Sequence, residues 1–397
     1  MIQGWLEVRE GAVQAVNDLL GRFLSEGVVD ALLVPLRTPD GRNAVPTLIR
    51  DSALLERAAP LAPVLSRNAG TMLGRLTATG GTGRLGAVLR TCELRAAIEL
   101  EKVQQAALDD VLLIGIDCLG TYTVESYARM IDRGEEPLSL ALARARDGQV
   151  EPMEGYAFRP GCGMCDYPVP SAPGMGSGSG RGPGRSARTG KEDEVYAPDV
   201  AIGLLGVPHD ERLWVSVTDD TLAEKIGLDP DKEPIERIEA VASLVDERIA
   251  ERDRRFAAVR ERVDGPDSLL SEFAICMGCR SCMEVCPICY CKECIFRTDV
   301  FDHPSERYWD WAERKGGVRL PSDTLLFHLT RMLHMAHACV GCGMCSDACP
   351  VGIPVADIFR SVGQRVQARF GYVPGRDPDE EMIIATFRED ELEDLGS

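Results

Sequence analysis

Two stretches of the chain repeat one cysteine spacing. Cys276, Cys279, Cys282 and Cys286 lie in CMGCRSCMEVCP, and Cys339, Cys342, Cys345 and Cys349 lie in CVGCGMCSDACP. In a CxxCxxCxxxCP run, three closely spaced thiolates grip three corners of an iron–sulfur cubane. The fourth, carried off on the following helix, reaches a second cluster. Two copies therefore predict a two-cluster module, with Cys276, Cys279, Cys282 and Cys349 on one 4Fe–4S cluster and Cys339, Cys342, Cys345 and Cys286 on the other. Structural zinc is the plainer alternative, but its paired CxxC units explain neither the third cysteine of each run nor the proline. Cys289, Cys291 and Cys294 follow the first run closely. Two readings stay open for them: a further metal site completed from elsewhere, or small buried apolar side chains.

Four cysteines lie upstream. Cys162 and Cys165 stand at CxxC spacing in RPGCGMC, and two thiolates alone make only half of a cluster or zinc site. Cys92 comes just after the apolar run LGAVLR, and Cys118 just after VLLIGI and Asp117. If those runs are parallel strands, both thiols sit at carboxyl ends of one sheet, the edge where open α/β sheets bind ligands. A loop bearing Cys162 and Cys165 would close over that edge and complete a third cluster. The competing reading makes Cys92 and Cys118 inert core thiols.

The elements that must position these residues are legible in outline. Strands are expected at 28–36, 85–90 and 111–116, with a helix over 91–108 between the last two. Strand–helix–strand order favours parallel pairing. Residues 170–194, rich in Gly, Ser and Pro, read as a flexible linker. Because the α/β pattern resumes at 197–206 and 212–218, the linker interrupts a domain rather than ending one. A charged amphipathic helix follows over 234–263. The chain thus divides into an α/β domain (1–265), an α+β ferredoxin-like domain (266–365) with a helical insertion at about 301–338, and an acidic tail (366–397). LLFHLTRMLHM in the insertion has helical spacing and reads as a packing helix. His328, His334 and His337 on or near it are read as core or surface residues, not ligands.

The chain has 397 residues, with 44 Lys+Arg against 63 Asp+Glu and a formal charge of −19. That balance, without a basic patch, argues against nucleic acid and anionic membranes. No apolar run is long enough to span a bilayer, and no signal-peptide pattern opens the chain. The reading is a soluble cytoplasmic protein whose thiols are held by metal rather than by disulfides.

The order LSEGVVDALLVP, SRNAG, RTCELRAAIEL, LLIGIDCLGTYT, RPGCGMCDYP and DVAIG resembles the flavin-binding beta-subunit family of coenzyme F420 hydrogenases and dehydrogenases. FHLTRMLHMAHACVGCGMCSDACPVGIPV is similar to the ferredoxin part of that family's formate dehydrogenase members, and the likeness runs through nearly the whole chain. It departs from the family at the Gly/Ser-rich linker and at ArgThrCys, where Gly-x-Pro-Cys is more usual. The resemblance implies a flavin-binding α/β fold in which Cys92, Cys118, Cys162 and Cys165 hold a 4Fe–4S cluster next to FAD. No dinucleotide fingerprint supports the flavin independently, since the glycines of TGGTGRLG (79–86) precede a strand rather than a helix; they read equally as a surface turn or a phosphate-binding loop. Candidate flavin contacts are Asn68, Ala69, Gly70 and Thr71, whose small side chains permit close approach, and Arg90, Thr91, Glu93 and Arg95 around Cys92. Arg90 and Arg95 would pair with the diphosphate or serve as ordinary ion-pair residues.

The resemblance further implies an electron-transfer subunit, and no residue of the sequence reads as a required catalytic acid or base. Electrons from a molybdenum- or tungsten-pterin formate-oxidising alpha subunit would pass through three 4Fe–4S clusters to FAD and leave as hydride on coenzyme F420. Two other readings remain: an iron–sulfur wiring subunit linking a dehydrogenase or hydrogenase to a heterodisulfide-reductase-type complex, and a flavin subunit that uses NAD(P) or ferredoxin.

Overall fold

The structure, a computed structural model, describes residues 2–80, 83–170 and 197–387. Its strands are β1 (Ile2–Glu7), β2 (Ala31–Arg37), β3 (Ala44–Ile49), β4 (Leu85–Arg90), β5 (Val111–Ile116), β6 (Val200–Gly203), β7 (Arg212–Val217) and β8 (Asp229–Pro230). Among the described residues they form one sheet, ordered β3-β2-β4-β5-β6-β7-β1-β8.

The runs LGAVLR and VLLIGI are buried at every residue. Such continuous apolar strands suit a parallel sheet covered on both faces. β4 and β5 do pair in parallel, from Leu85 against Val111 to Arg90 against Ile116. The helix Thr91–Lys102 is their crossover. Successive residues serve opposite faces: Val88 and Ile114 pack with Leu19, Phe23 and Val215, whereas Leu89 and Leu113 pack with Leu73, Leu94 and Ile98.

β2 and β6 extend the parallel centre on its two sides. The edges are antiparallel, with β3 beyond β2 and then β7 and β1 beyond β6. The strand expected at 28–36 begins later, because the Val28 and Val29 amides bond back to the Phe23 carbonyl and close the helix Ala12–Ser25. Beyond Pro170 the expected linker lies outside the described residues, as do Gly81 and Thr82 of the glycine-rich stretch. β5 and β6 pair across the linker, so the sheet continues on its far side.

The helix Ile235–Arg262 joins the two halves. Its first turns pack Val241 and Leu244 against Val169 and Leu205 beside the sheet. Its far end places Val259 in a second core with Phe273, Met332, Ile353 and Phe359. In the insertion, Ser305–Lys315 and Thr324–Met335 are helices. The expected tail from 366 is a correction. Residues 366–370 finish the helix Val355–Phe370, and the chain then returns to the α/β domain. There the Tyr372 hydroxyl donates to Glu99 at 2.8 Å and the Gly375 amide donates to the same carboxylate at 2.7 Å.

Candidate metal centre

The end of β4 and the end of β5 lie side by side, so Cys92 and Cys118 emerge together at the carboxyl edge. Cys92 occupies the first turn of the crossover helix, which Glu93 stabilises by accepting from the Arg90 and Ala69 amides. Cys118 is held by its amide, which donates to the Pro168 carbonyl at 2.8 Å. The preceding residue, Asp117, accepts from the Leu204 and Leu205 amides and from Arg237. Cys162 sits in the short turn Pro160–Gly163, with its Sγ 3.1 Å from the Thr121 hydroxyl. Cys165 follows that turn.

These four thiols line one cavity with Arg90, Thr91, Arg159 and Arg248. Burial, with repulsion from Glu93, Cys342, Cys118 and Cys165, holds the Cys92 thiol well above its ordinary range. Burial raises Cys118 to about 12, with Cys162 and Cys165 adding and Arg90 opposing. Burial and Asp166 raise Cys165, against Arg248 and Arg360. Four soft donors crowded together, with Cys92, Cys118 and Cys165 resisting ionisation, fit a cationic iron assembly, which compensates thiolate charge. The Thr91 hydroxyl, buried in the same wall, has no hydrogen-bond partner.

The other two sets form in the C-terminal half. The Cys282 thiol is pushed to about 11 by burial, with Arg331 opposing and Cys276, Cys279 and Cys349 adding. Cys349, from the second run, therefore stands beside the first three. Burial raises Cys345 well above its usual range, with Cys286, Cys342 and Cys339 reinforcing it. Those four line a second cavity. Cys342 borders this cavity and also the one around Cys92. The two loops touch: a Cβ on Gly161 would come within 2.7 Å of the Gly343 Cα.

Cys289 is pushed to about 12 by burial and by Cys286, against Arg331, with Cys294 and Cys291 adding. Cys294 leans on the Met283 sulfur at 3.9 Å. Among the described residues, no three His, Cys, Asp or Glu side chains are arranged to hold a single ion.

The flavin candidates are split. Asn68 caps the helix Ala69–Thr77 through the Gly70 amide, and Gly70 is packed against the Glu93 carbonyl. Arg90 donates to the Ala62 and Val64 carbonyls. Arg95 donates to Pro374 and Val340 and stacks over Tyr167 at 4.1 Å. Both guanidiniums spend some of their donors on backbone carbonyls. Arg90 and Thr91 reach the first thiol cavity, whereas Arg95 borders a separate polar one with Asp166, Arg252, Arg360 and Tyr372.

Two contacts were not anticipated from the sequence. His328 stacks on Phe273, with centroids 3.9 Å apart, and points Nε2 at the Cys276 sulfur at 3.4 Å. Burial and Arg331 lower it to about 4. Arg159 is buried and contacts both neighbouring loops, pairing with Asp347 and donating to the Cys342 carbonyl at 2.9 Å. Only the helical period marked His328 as inward-facing, and nothing local marked Arg159. His337 is buried, and His334 is exposed.

Among the described residues, no helix is long and apolar enough to cross a membrane. The 4Fe-4S dicluster domain family matches residues 272–353. The F420-dependent formate dehydrogenase subunit beta of Methanocaldococcus jannaschii is 25% identical over 383 residues, covering 91% of this chain and 92% of the relative. The F420-dependent formate dehydrogenase 1 subunit beta of Methanococcus maripaludis is 27% identical over 387 residues, covering 92% and 91%. A chain in a solved structure of the F420-reducing [NiFe] hydrogenase complex from Methanosarcina barkeri matches with TM-score 0.43 and 13% identity, over 67% of this chain and 93% of that one. The protein is a homologue of F420-dependent formate dehydrogenase beta subunits over about nine-tenths of its length, and its C-terminal half carries a 4Fe-4S dicluster domain.

Proposed function

We propose that this chain is the electron-transfer subunit of an F420-dependent formate dehydrogenase and works with a formate-oxidising alpha subunit in the cytoplasm. Its relatives' names supply the reaction. The observation that carries the reading is Cys342, which borders two adjoining thiol-lined cavities. Such adjacency suits a relay of one-electron centres and has no use in isolated structural metal sites.

In this reading Cys92, Cys118, Cys162 and Cys165 hold one cluster, Cys286, Cys339, Cys342 and Cys345 a second, and Cys276, Cys279, Cys282 and Cys349 a third. When bound, such clusters pass single electrons, and a flavin gathers two and releases them as hydride. The chain's own task is spatial and electrostatic. Gly161 and Gly343 permit the two loops to meet, and the His328 ring nitrogen and the Thr121 hydroxyl stand beside the Cys276 and Cys162 sulfurs. FAD belongs to the proposal through the family resemblance and the relatives' use of F420. Arg90 and Arg95 are not assigned to its diphosphate.

The experiment is anaerobic purification with the alpha subunit, followed by formate-driven bleaching of F420 and a flavin assay. The proposal expects bleaching and about one flavin per chain. A chain with full iron and no flavin would make it a wiring subunit instead, and reduction of NAD(P) but not F420 would change the acceptor.

A further inference from the structure

Two buried arginines stand at the two junctions between thiol sets. Arg159 lies between the Cys162 turn and the Cys342 loop, where it donates to Thr121, to the Cys342 carbonyl and to the Met344 sulfur. Arg331 lies between the other pair. Its Nη1 donates to the Cys282 sulfur at 3.1 Å and its Nη2 to the Cys282 carbonyl at 3.1 Å, and it also borders the cavity of Cys286, Cys339, Cys342 and Cys345.

The two differ in compensation. Arg159 has the Asp347 carboxylate against its Nε. Arg331 is 3% exposed, its Nε has no partner, and none of the ion pairs among the described residues includes it. Its remaining surroundings are the Phe327 and Phe359 rings, 5.4 and 5.1 Å from its Cζ. A buried guanidinium without a counter-ion is costly. What can offset it on this chain is thiolate charge from the sets on either side. The net negative charge of a thiolate-held cluster would grow by one on taking up one electron, with no bond made or broken.

We propose that Arg331 is a potential-setting residue, a positioning cation whose uncompensated charge favours the electron at the junction of the two C-terminal thiol sets. Arg159, neutralised by Asp347, mainly joins its two loops. The inference rests on the iron–sulfur reading and adds an uneven field along the relay, in which the C-terminal pair is made easier to reduce.

The test is a redox titration of the anaerobically purified full chain followed by electron paramagnetic resonance, with iron measured on each sample. In iron-replete Arg331→Gln, one reduction step should move to lower potential by about tenfold in its equilibrium constant, 59 mV for a one-electron couple. Arg331→Lys, which keeps the charge, should move it less. Asp347→Asn, which removes a neighbouring negative charge, should move a step upward. Unchanged midpoints in the Gln variant, or equal falls in the Gln and Lys variants, overturn the inference. If the Gln variant loses iron, the Lys and Asp347 variants decide, and an unmoved midpoint in Asp347→Asn then overturns it. An unmodified chain lacking cluster iron would instead remove the functional reading on which the inference stands.

Discussion

Arg237 clasps Asp117 with both ends of its guanidinium, Nη1 to Oδ2 at 2.6 Å and Nη2 to Oδ1 at 3.1 Å, with both side chains buried. The pair ties the long helix to the turn that presents Cys118. Breaking a buried pair by removing one partner costs about 3–5 kcal/mol, because the other charge is stranded. Arg237→Leu should therefore lower the melting temperature sharply and release the iron held near Cys118 before that of the C-terminal sets. Calorimetry with iron analysis on partly heated samples checks the order.

The contact between Gly161 and Gly343 sets how closely two thiol loops approach. Gly343 has φ 75°, a conformation that costs other residues dearly. Gly161→Ala should cost about 1–3 kcal/mol through overpacking and weaken magnetic coupling between the reduced centres on those loops. Gly163→Ala, where an added Cβ meets nothing within 4 Å, is the control and should leave the coupling unchanged.

The returning C-terminal segment is anchored by Tyr372. Its hydroxyl bonds a buried carboxylate, so Tyr372→Phe should cost about 1.5–3 kcal/mol, the range for hydrogen bonds to charged groups. Denaturant unfolding measures it. A segment that behaves as a solvated tail would show no change.

Cys291→Ser and Cys294→Ser should leave the iron content unaltered, since the further cysteine beside Cys289 is Cys286, which lines the cavity of the second set. A loss of about four irons in either variant would turn this loop into a further cluster site.

Much of this arrangement was readable from residue spacing. Unbroken apolar runs at 85–90 and 111–116 placed Cys92 and Cys118 on one edge, because parallel strands with a crossover leave their carboxyl ends together. The doubled cysteine run proposed a crossing of Cys349 and Cys286, and the structure sets Cys349 near Cys282 and Cys286 near Cys345. What stayed hidden depends on partners distant in the chain. The acidic composition after 366 suggested a tail, yet Tyr372 and Gly375 find Glu99 far upstream. Arg90 and Arg95 also hold backbone carbonyls at 62, 64, 340 and 374, contacts that no local pattern announces. The β7–β1 pairing is just as non-local, and no local period could announce it.

Iron stoichiometry, read together with the loss caused by Cys162→Ala, tests the central claim most directly. Anaerobically purified chain should carry about twelve irons, and the variant about eight with the two C-terminal spectra intact. An unmodified chain with about eight irons, or a Cys162→Ala chain that keeps all of its iron, would contradict the account.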